Sequence, residues 1–289
     1  MKQSFTYYLT LLVIRLKGLK KDFSKDPIDY KKIRRNDVRK PSKKSFRVND
    51  VEIFKISSTT ITEISQKNSS KSLLIMIPGG AFISGPVKHH WDSANEIIRS
   101  TGYTIWVCDY PKAPEHKIEE ISANIDLVYK AAIEKYGPSQ VSFFGDSVGG
   151  TLTIALVQRL IKNNLELPKL IILISPVVDA TLSNPEIDVI DKIDPMLSKR
   201  GVLSAKKMCA GNIDLSNTMI SPINGCFKGF PETTFFVAES DITYPDQKLV
   251  VEKIMSSNVN VKVIEGKNMP HIWPLLPVMS EAKTALNRI

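Results

Sequence analysis

Along the chain, short continuous apolar runs alternate with longer stretches in which apolar residues return every third or fourth position. The runs are Leu73 to Ile77, Tyr103 to Asp109, Val141 to Phe144, Leu170 to Ser175, Thr233 to Ala238 and Val259 to Ile264. Between and after them lie Ser93 to Ser100, Glu119 to Tyr136, Gly150 to Lys162, Pro245 to Ser257 and a last stretch from about Pro274 to Arg288. An apolar run without alternation reads as a strand buried on both faces, and helical spacing between such runs reads as crossover helices. The pattern therefore predicts a mostly parallel, doubly wound α/β sheet with helices on both faces. Ahead of it, Asp50 to Ser57 and Thr59 to Gln66 are β-rich and separated by polar residues, which predicts an antiparallel start to the sheet.

Two stretches break this rhythm. Near the N-terminus the apolar run Phe5 to Ile14 is followed by Arg15, Lys17, Lys20 and Lys21. It is too short to span a bilayer and lacks a small-residue cleavage site, so an amphipathic helix packed on the protein's own surface is expected. Contact with an anionic membrane surface is the second reading. The other break, Asp179 to Ser221, mixes Asn184-Pro185 and Asp194-Pro195 with helical pieces such as Leu203 to Cys209 and holds no core strand. An insertion there, at the edge where ligands bind in such sheets, predicts a helical cap.

Composition narrows the picture. With 289 residues and 43% hydrophobic residues the chain can fill one large core. The formal charge of +9 would raise the question of nucleic acid, but much of the excess lies around Lys17 to Lys44 and no nucleic-acid module accompanies it. A solvated basic surface, and no nucleic-acid partner, is the expectation. Three cysteines, Cys108, Cys209 and Cys226, are widely spaced without a CxxC pattern. Neither a disulfide framework nor a metal site is indicated, and a cytoplasmic setting fits, peripheral at the membrane if the N-terminal helix touches lipid. Cys108, inside an apolar run, is expected to be a small buried hydrophobe.

The strongest local signal is Gly145-Asp146-Ser147-Val148-Gly149-Gly150, where the run beginning at Val141 meets the helical stretch at Gly150. A Gly-x-Ser-x-Gly turn between a buried strand and a helix crowds the backbone so closely that residues two either side of the serine cannot carry Cβ atoms. Ser147 becomes a candidate nucleophile, with the helix N-terminus favouring charge that develops there. A serine hydroxyl needs a base, and in this strand-turn-helix setting the partners follow in the order nucleophile, acid, base. Of four histidines, His89, His90 and His116 precede Ser147, which leaves His271, a few residues past the last predicted strand. The acid must lie between them. Asp241 ends the strand run at Thr233 to Ala238, with Glu239 and Asp246 as rivals. Backbone donors for an oxyanion are expected from Ile77-Pro78-Gly79-Gly80-Ala81-Phe82, namely Gly79, Gly80 and Ala81, beside the Val148 N–H.

In this order these residues resemble the hormone-sensitive-lipase-like group of esterases, with its His-Gly-Gly-Gly loop and Gly-Asp-Ser-Ala-Gly-Gly turn. Tyr110-Pro-Lys-Ala-Pro-Glu115-His116 is similar to that group's Tyr-Arg-Leu-Ala-Pro-Glu-His segment, and Ser175-Pro176, Ser221-Pro222, Glu239-Ser-Asp241 and Met269-Pro-His271 fall where the group has similar pieces. The resemblance runs from about residue 70 to the C-terminus. It implies the α/β-hydrolase fold, with a basic helical segment over 1–45 contributing to a cap, and a catalytic domain over 46–289 that carries the cap insertion at about 179–221. It also implies short- to medium-chain ester substrates and no cofactor. Two departures stand out: Pro78 replaces the group's histidine, so loop rigidity is expected from the proline's fixed φ, and Ala81 replaces the third glycine but keeps its N–H. The residues fit a serine carboxylesterase working through an acyl-enzyme, with an amidase or peptidase using the same triad and a non-catalytic small-molecule binding protein as the alternatives. A homodimer is left open.

Overall fold

The computed structural model describes residues 3–42, 44–67, 70–286 and 288. Met1, Lys2 and Lys43 of the basic segment, and Asn287 and Ile289, lie outside the described residues. The strands are β1 (Asp50–Ile56), β2 (Thr59–Ser65), β3 (Leu73–Ile77), β4 (Thr104–Asp109), β5 (Val141–Asp146), β6 (Leu170–Ile174), β7 (Glu232–Ala238) and β8 (Val261–Gly266). They form one 8-stranded sheet in the order β1-β2-β4-β3-β5-β6-β7-β8. The pairs β1·β2 and β2·β4 are antiparallel and every later pair is parallel, as the change of rhythm after residue 66 predicts.

Period-two alternation divides each central strand between two cores. Leu73, Ile75 and Ile77 of β3, Phe143 of β5 and Ile171 and Leu173 of β6 face the core covered by helices Ile118–Tyr136, Val148–Lys162 and Tyr244–Ser256. Leu74 and Met76, Phe144, and Ile172 and Ile174 face the core closed by helices Lys88–Thr101, Phe5–Leu16 and Ser280–Leu286. Both faces being dry, the central strands need no polar alternation. The edge strand β1 is the contrast, with Val51 and Ile53 exposed.

Element ends moved where local chemistry overrides periodicity. The last helix is only Ser280–Leu286, because Pro274 sits in a 3₁₀ turn, Trp273–Leu275, and Pro277 follows it. The helix expected from Ser93 begins at Lys88, and the strand expected at Val259 starts two residues later.

Between β6 and β7 the chain holds the short helices Ile187–Ile190 and Lys199–Ala210 and, among the described residues, no strand. The second of these packs against the N-terminal segment. Gly201 abuts the Phe23 carbonyl so closely that a Cβ would overlap it, and the Ile28 N–H donates to Ser204 Oγ at 3.0 Å. The N-terminal helix is tied to the far end of the chain, where Ser4 Oγ donates to Glu281 at 2.8 Å and the Tyr7 hydroxyl to the Asn268 carbonyl at 2.8 Å. Since Phe23 meets Gly201 backbone to backbone, Gly201→Val is expected to destabilise the protein by about 1–3 kcal/mol, read as a lowered urea midpoint at unchanged slope.

Candidate active site

β5 ends at Asp146 and the next helix starts at Val148, so Ser147 alone makes the turn. Its backbone lies at φ 52°, ψ −122°, a region that side-chain-bearing residues rarely occupy. The conformation is held by the Ser147 N–H donating to the Ile174 carbonyl at 2.9 Å and by the Val177 N–H donating to the Ser147 carbonyl at 3.2 Å. A Cβ on Gly145 would lie 2.6 Å from the Gly149 carbonyl oxygen, and one on Gly149 would overlap the Ile77 carbonyl. Strand, turn and helix thus touch backbone to backbone, and the helix begins two residues earlier than its apolar periodicity suggests.

Asp241 is fully buried just beyond β7. Its Oδ2 lies 2.6 Å from His271 Nδ1 and accepts from Gln247 Nε2 at 3.0 Å, while Oδ1 accepts the Thr243 N–H at 2.9 Å. A carboxylate at Nδ1 keeps the imidazole proton there and leaves Nε2 as an acceptor. The next residue after the histidine, Ile272, donates its N–H to Ser175 Oγ at 3.1 Å. Ser175 directly follows Ile174, whose carbonyl holds the Ser147 N–H. Serine and histidine are therefore moored to the same end of β6. Among the described residues no hydrogen bond joins Ser147 Oγ to His271; such bonds are often long in a free enzyme and tighten on substrate binding.

The rivals are engaged elsewhere. Glu239 accepts the Asn268 N–H at 2.7 Å and Asp246 accepts from Asn184 Nδ2 at 3.0 Å, and neither bonds to His271. Burial alone would lower the His271 pKa, but the charge of Asp241 and its hydrogen bond more than offset this, leaving it raised above the ordinary 6.5.

The loop after β3 revises one expected role. The Gly79 N–H donates to Asp146 Oδ1 at 3.0 Å, so Gly79 is not a free donor. The amides of Gly80, Ala81 and Val148 engage no protein acceptor among the described residues and remain the candidate oxyanion donors. Gly79 is needed for space instead, as a Cβ there would fall 2.8 Å from that of Ser147. Nor does loop rigidity rest on Pro78 alone. The Tyr110 hydroxyl donates to the Pro78 carbonyl at 2.8 Å, the Ala113 N–H to the Phe82 carbonyl at 2.9 Å, and Asp37 Oδ1 accepts the Gly85 N–H at 2.8 Å.

Further residues that the sequence reading did not single out complete the site. His90 Nδ1 accepts the Val87 N–H at 2.9 Å, which leaves its proton on Nε2, 3.2 Å from Asp146 Oδ1. Burial would raise the Asp146 pKa, but His90 and the Gly79 amide reverse this, holding it below the usual carboxylate range. Asp194, buried in the insertion, accepts the Met196 and Leu197 amides on Oδ1 and the Ile242 N–H on Oδ2 at 2.9 Å, one residue past Asp241. Its burial, and then the charge of Asp241, push it up to about 6. The available signal was the Asp-Pro pair at Asp194, which favours just this kind of side-chain-capped turn.

A family model described as alpha/beta hydrolase fold matches residues 74–275. An esterase of Acinetobacter venetianus is 30% identical over 201 residues, 69% of this chain and 66% of that protein. A triacylglycerol lipase of Mycobacterium tuberculosis is 26% identical over 184 residues, 63% of this chain and 37% of that protein. The matched part thus spans less than two thirds of either relative's length. Among solved structures, a Staphylococcus aureus protein assigned as an esterase superposes with a TM-score of 0.83 at 29% identity, covering 90% of this chain and 88% of that one. An esterase from the bacterial hormone-sensitive lipase family superposes with a TM-score of 0.86 at 20% identity, covering 100% and 97%, a likeness of fold.

The imidazole of His271 is expected to titrate above pH 6.5 by NMR. In Asp241→Asn, which removes the two largest upward causes and leaves burial opposed only by the charges of Asp194 and Asp146, the midpoint is expected to fall relative to the unmodified protein.

Proposed function

This chain belongs to the alpha/beta hydrolase family, and from that premise we propose that it is a serine carboxylesterase acting on short- to medium-chain acyl esters. The observation that carries the proposal is the buried His271–Asp241 pair at 2.6 Å, moored through Ser175 to the strand end that also holds Ser147. In this reading His271 Nε2 takes the proton of Ser147 Oγ as that oxygen attacks the ester carbonyl. The amides of Gly80, Ala81 and Val148 meet the oxyanion, His271 returns the proton to the departing alcohol, and a water activated by the same imidazole releases the acid. Asp241 holds the tautomer and stabilises the imidazolium. The names carried by the relatives, esterase and triacylglycerol lipase, support an ester as the scissile group.

Residues 3–42 and the insertion at about 179–221 form the cap of this enzyme. Their mutual contacts at Gly201 and Ser204 support this, as does Lys20 Nζ donating to the Asp194 carbonyl at 2.9 Å. Through its carboxylate Asp194 also holds the acid loop at Ile242, so cap and base share one support. A fluorophosphonate probe is expected to label the protein and not Ser147→Ala, and p-nitrophenyl butyrate turnover to fall by roughly 10⁴-fold or more in that variant. Absence of both labelling and turnover in the unmodified chain would overturn the esterase reading.

The N-terminal helix supports a second element of the proposal, contact with an anionic membrane surface. Phe5, Tyr8, Leu9, Leu12, Val13 and Leu16 lie exposed along one helical stripe, while Tyr7, Thr10 and Ile14 are buried on the other side. Exposed Arg15 lies at the end of the helix, and exposed Lys17, Lys21 and Lys25 follow it in the chain. No helix among the described residues is long and apolar enough to cross a membrane, so the contact is interfacial. Co-sedimentation with phosphatidylglycerol vesicles is expected, with little binding to phosphatidylcholine, and loss of binding in Leu12→Glu/Leu16→Glu. A dimer in solution that the same substitutions dissociate, without vesicle binding, would assign the stripe to a second copy of the chain instead.

A further inference from the structure

Helix Lys199–Ala210 of the insertion turns one charged side chain inward. Arg200 and Lys207 are exposed, whereas Lys206 is 0% exposed on the face it shares with Val202, Ala205 and Cys209. Its Nζ has no hydrogen-bond acceptor among the described residues and lies 4.5 Å from the centre of the Phe82 ring. Phe82 directly follows Gly80 and Ala81, two of the candidate oxyanion donors, and it shares a packed core with Val148, the third. The side-chain nitrogen thus stands between the insertion and the loop that carries the candidate oxyanion donors.

A packing role alone does not account for it. An ammonium buried without an acceptor is costly, and a leucine or methionine would fill the same volume without that cost. The aromatic face of Phe82 offsets only part of it. The charged groups nearest Lys206 do not neutralise it. Asp179, whose carboxylate accepts from Thr181 and Ser221, forms no ion pair with it, and the thiol of Cys209 is itself pushed up to about 12 by burial. What completes such a site is an anion brought by the ligand.

We propose that Lys206 is a specificity-determining residue of the substrate pocket and that the preferred substrates are esters carrying a carboxylate, such as monoesters of dicarboxylic acids. The inference rests on the serine-hydrolase reading of Ser147. Burial lowers the Lys206 pKa to about 7, with Cys209 and Asp179 opposing the shift, and a carboxylate seated against Nζ would favour the charged form again. The net charge of +9 adds a long-range field that draws anionic substrates in.

The test compares mono-p-nitrophenyl glutarate with p-nitrophenyl valerate, matched in acyl length, on the full chain and on Lys206→Met. The unmodified enzyme is expected to favour the glutarate monoester by about tenfold or more in kcat/KM, and Lys206→Met to lose that preference while keeping turnover of the valerate ester. Equal or inverted preference in the unmodified enzyme, or a preference that survives in Lys206→Met, would overturn the proposal. Should Lys206→Met fail to fold, competitive inhibition by glutarate but not by 1,5-pentanediol supports the site in the unmodified enzyme, and equal behaviour of the two removes it. If neither ester is hydrolysed the hydrolase reading fails by itself. Calorimetric binding of glutarate then decides the anion site, which stands if the unmodified chain binds and Lys206→Met does not, and otherwise falls.

Discussion

The C-terminal end of β6 carries the geometry of the whole site. The Ile174 carbonyl fixes the Ser147 amide, the Ser175 amide is fixed in turn by the Phe236 carbonyl of β7, and the Ser175 hydroxyl accepts the Ile272 amide beside His271. Two strands and two loops, far apart in sequence, therefore converge on adjacent residues. Because β6 lies inside a sheet covered on both faces, this anchor is as rigid as the core itself. The serine turn can then be held in an unfavourable backbone region, because the surrounding contacts leave it no alternative.

Around that anchor several ionisable groups are buried together, and their arrangement keeps each in a usable state. Asp146 is stabilised as a carboxylate by His90 and the Gly79 amide, so it braces the loop after β3 that carries the candidate oxyanion donors. Asp241 has acceptor bonds from Gln247, Thr243 and His271. Asp194, the third carboxylate, sits near Asp241 and is the one whose ionisation burial and like charge oppose, with its pKa pushed up to about 6. Three backbone amides meet it nonetheless, which makes it a strut between the insertion and the acid loop. The electrostatics thus join the insertion to the loop that holds Asp241: displacing Asp194 would disturb Ile242 and, through it, the carboxylate bonded to His271.

Much of this was legible from residue order. Continuous apolar runs identified the central strands because both faces of the sheet are dry, and Gly145 and Gly149 identified the turn because only glycine fits there. His271 was reached by elimination and Asp241 from its place at a strand end, and the fold brings these two side chains together. What the sequence did not disclose depends on contacts between distant backbones. Nothing in Gly79 says that its amide is taken by Asp146, since the same Gly-Gly pair would read as two free donors. Pro78 looked like the sole brace of the loop because Tyr110 and Asp37 are 32 and 48 positions away in sequence from the carbonyl and amide they hold. The final helix was misjudged because periodicity cannot outweigh two prolines.

The insertion shows why specificity is harder to read than reaction type. The acyl transfer proposed here needs particular residue types, and the fold sets their order along the chain, so short motifs are enough to suggest it. A cap demands only that short helices cover a pocket, and its sequence is correspondingly free. Even so a trace of the pattern survives: Val202, Ala205 and Cys209 define the buried stripe of helix Lys199–Ala210, and position 206 falls on that stripe while 207 falls off it. Two adjacent lysines that look equivalent in the sequence are therefore opposite in the fold. A charge placed inward on an otherwise apolar stripe is a local inconsistency, and such inconsistencies are where sequences depart from stability in favour of function.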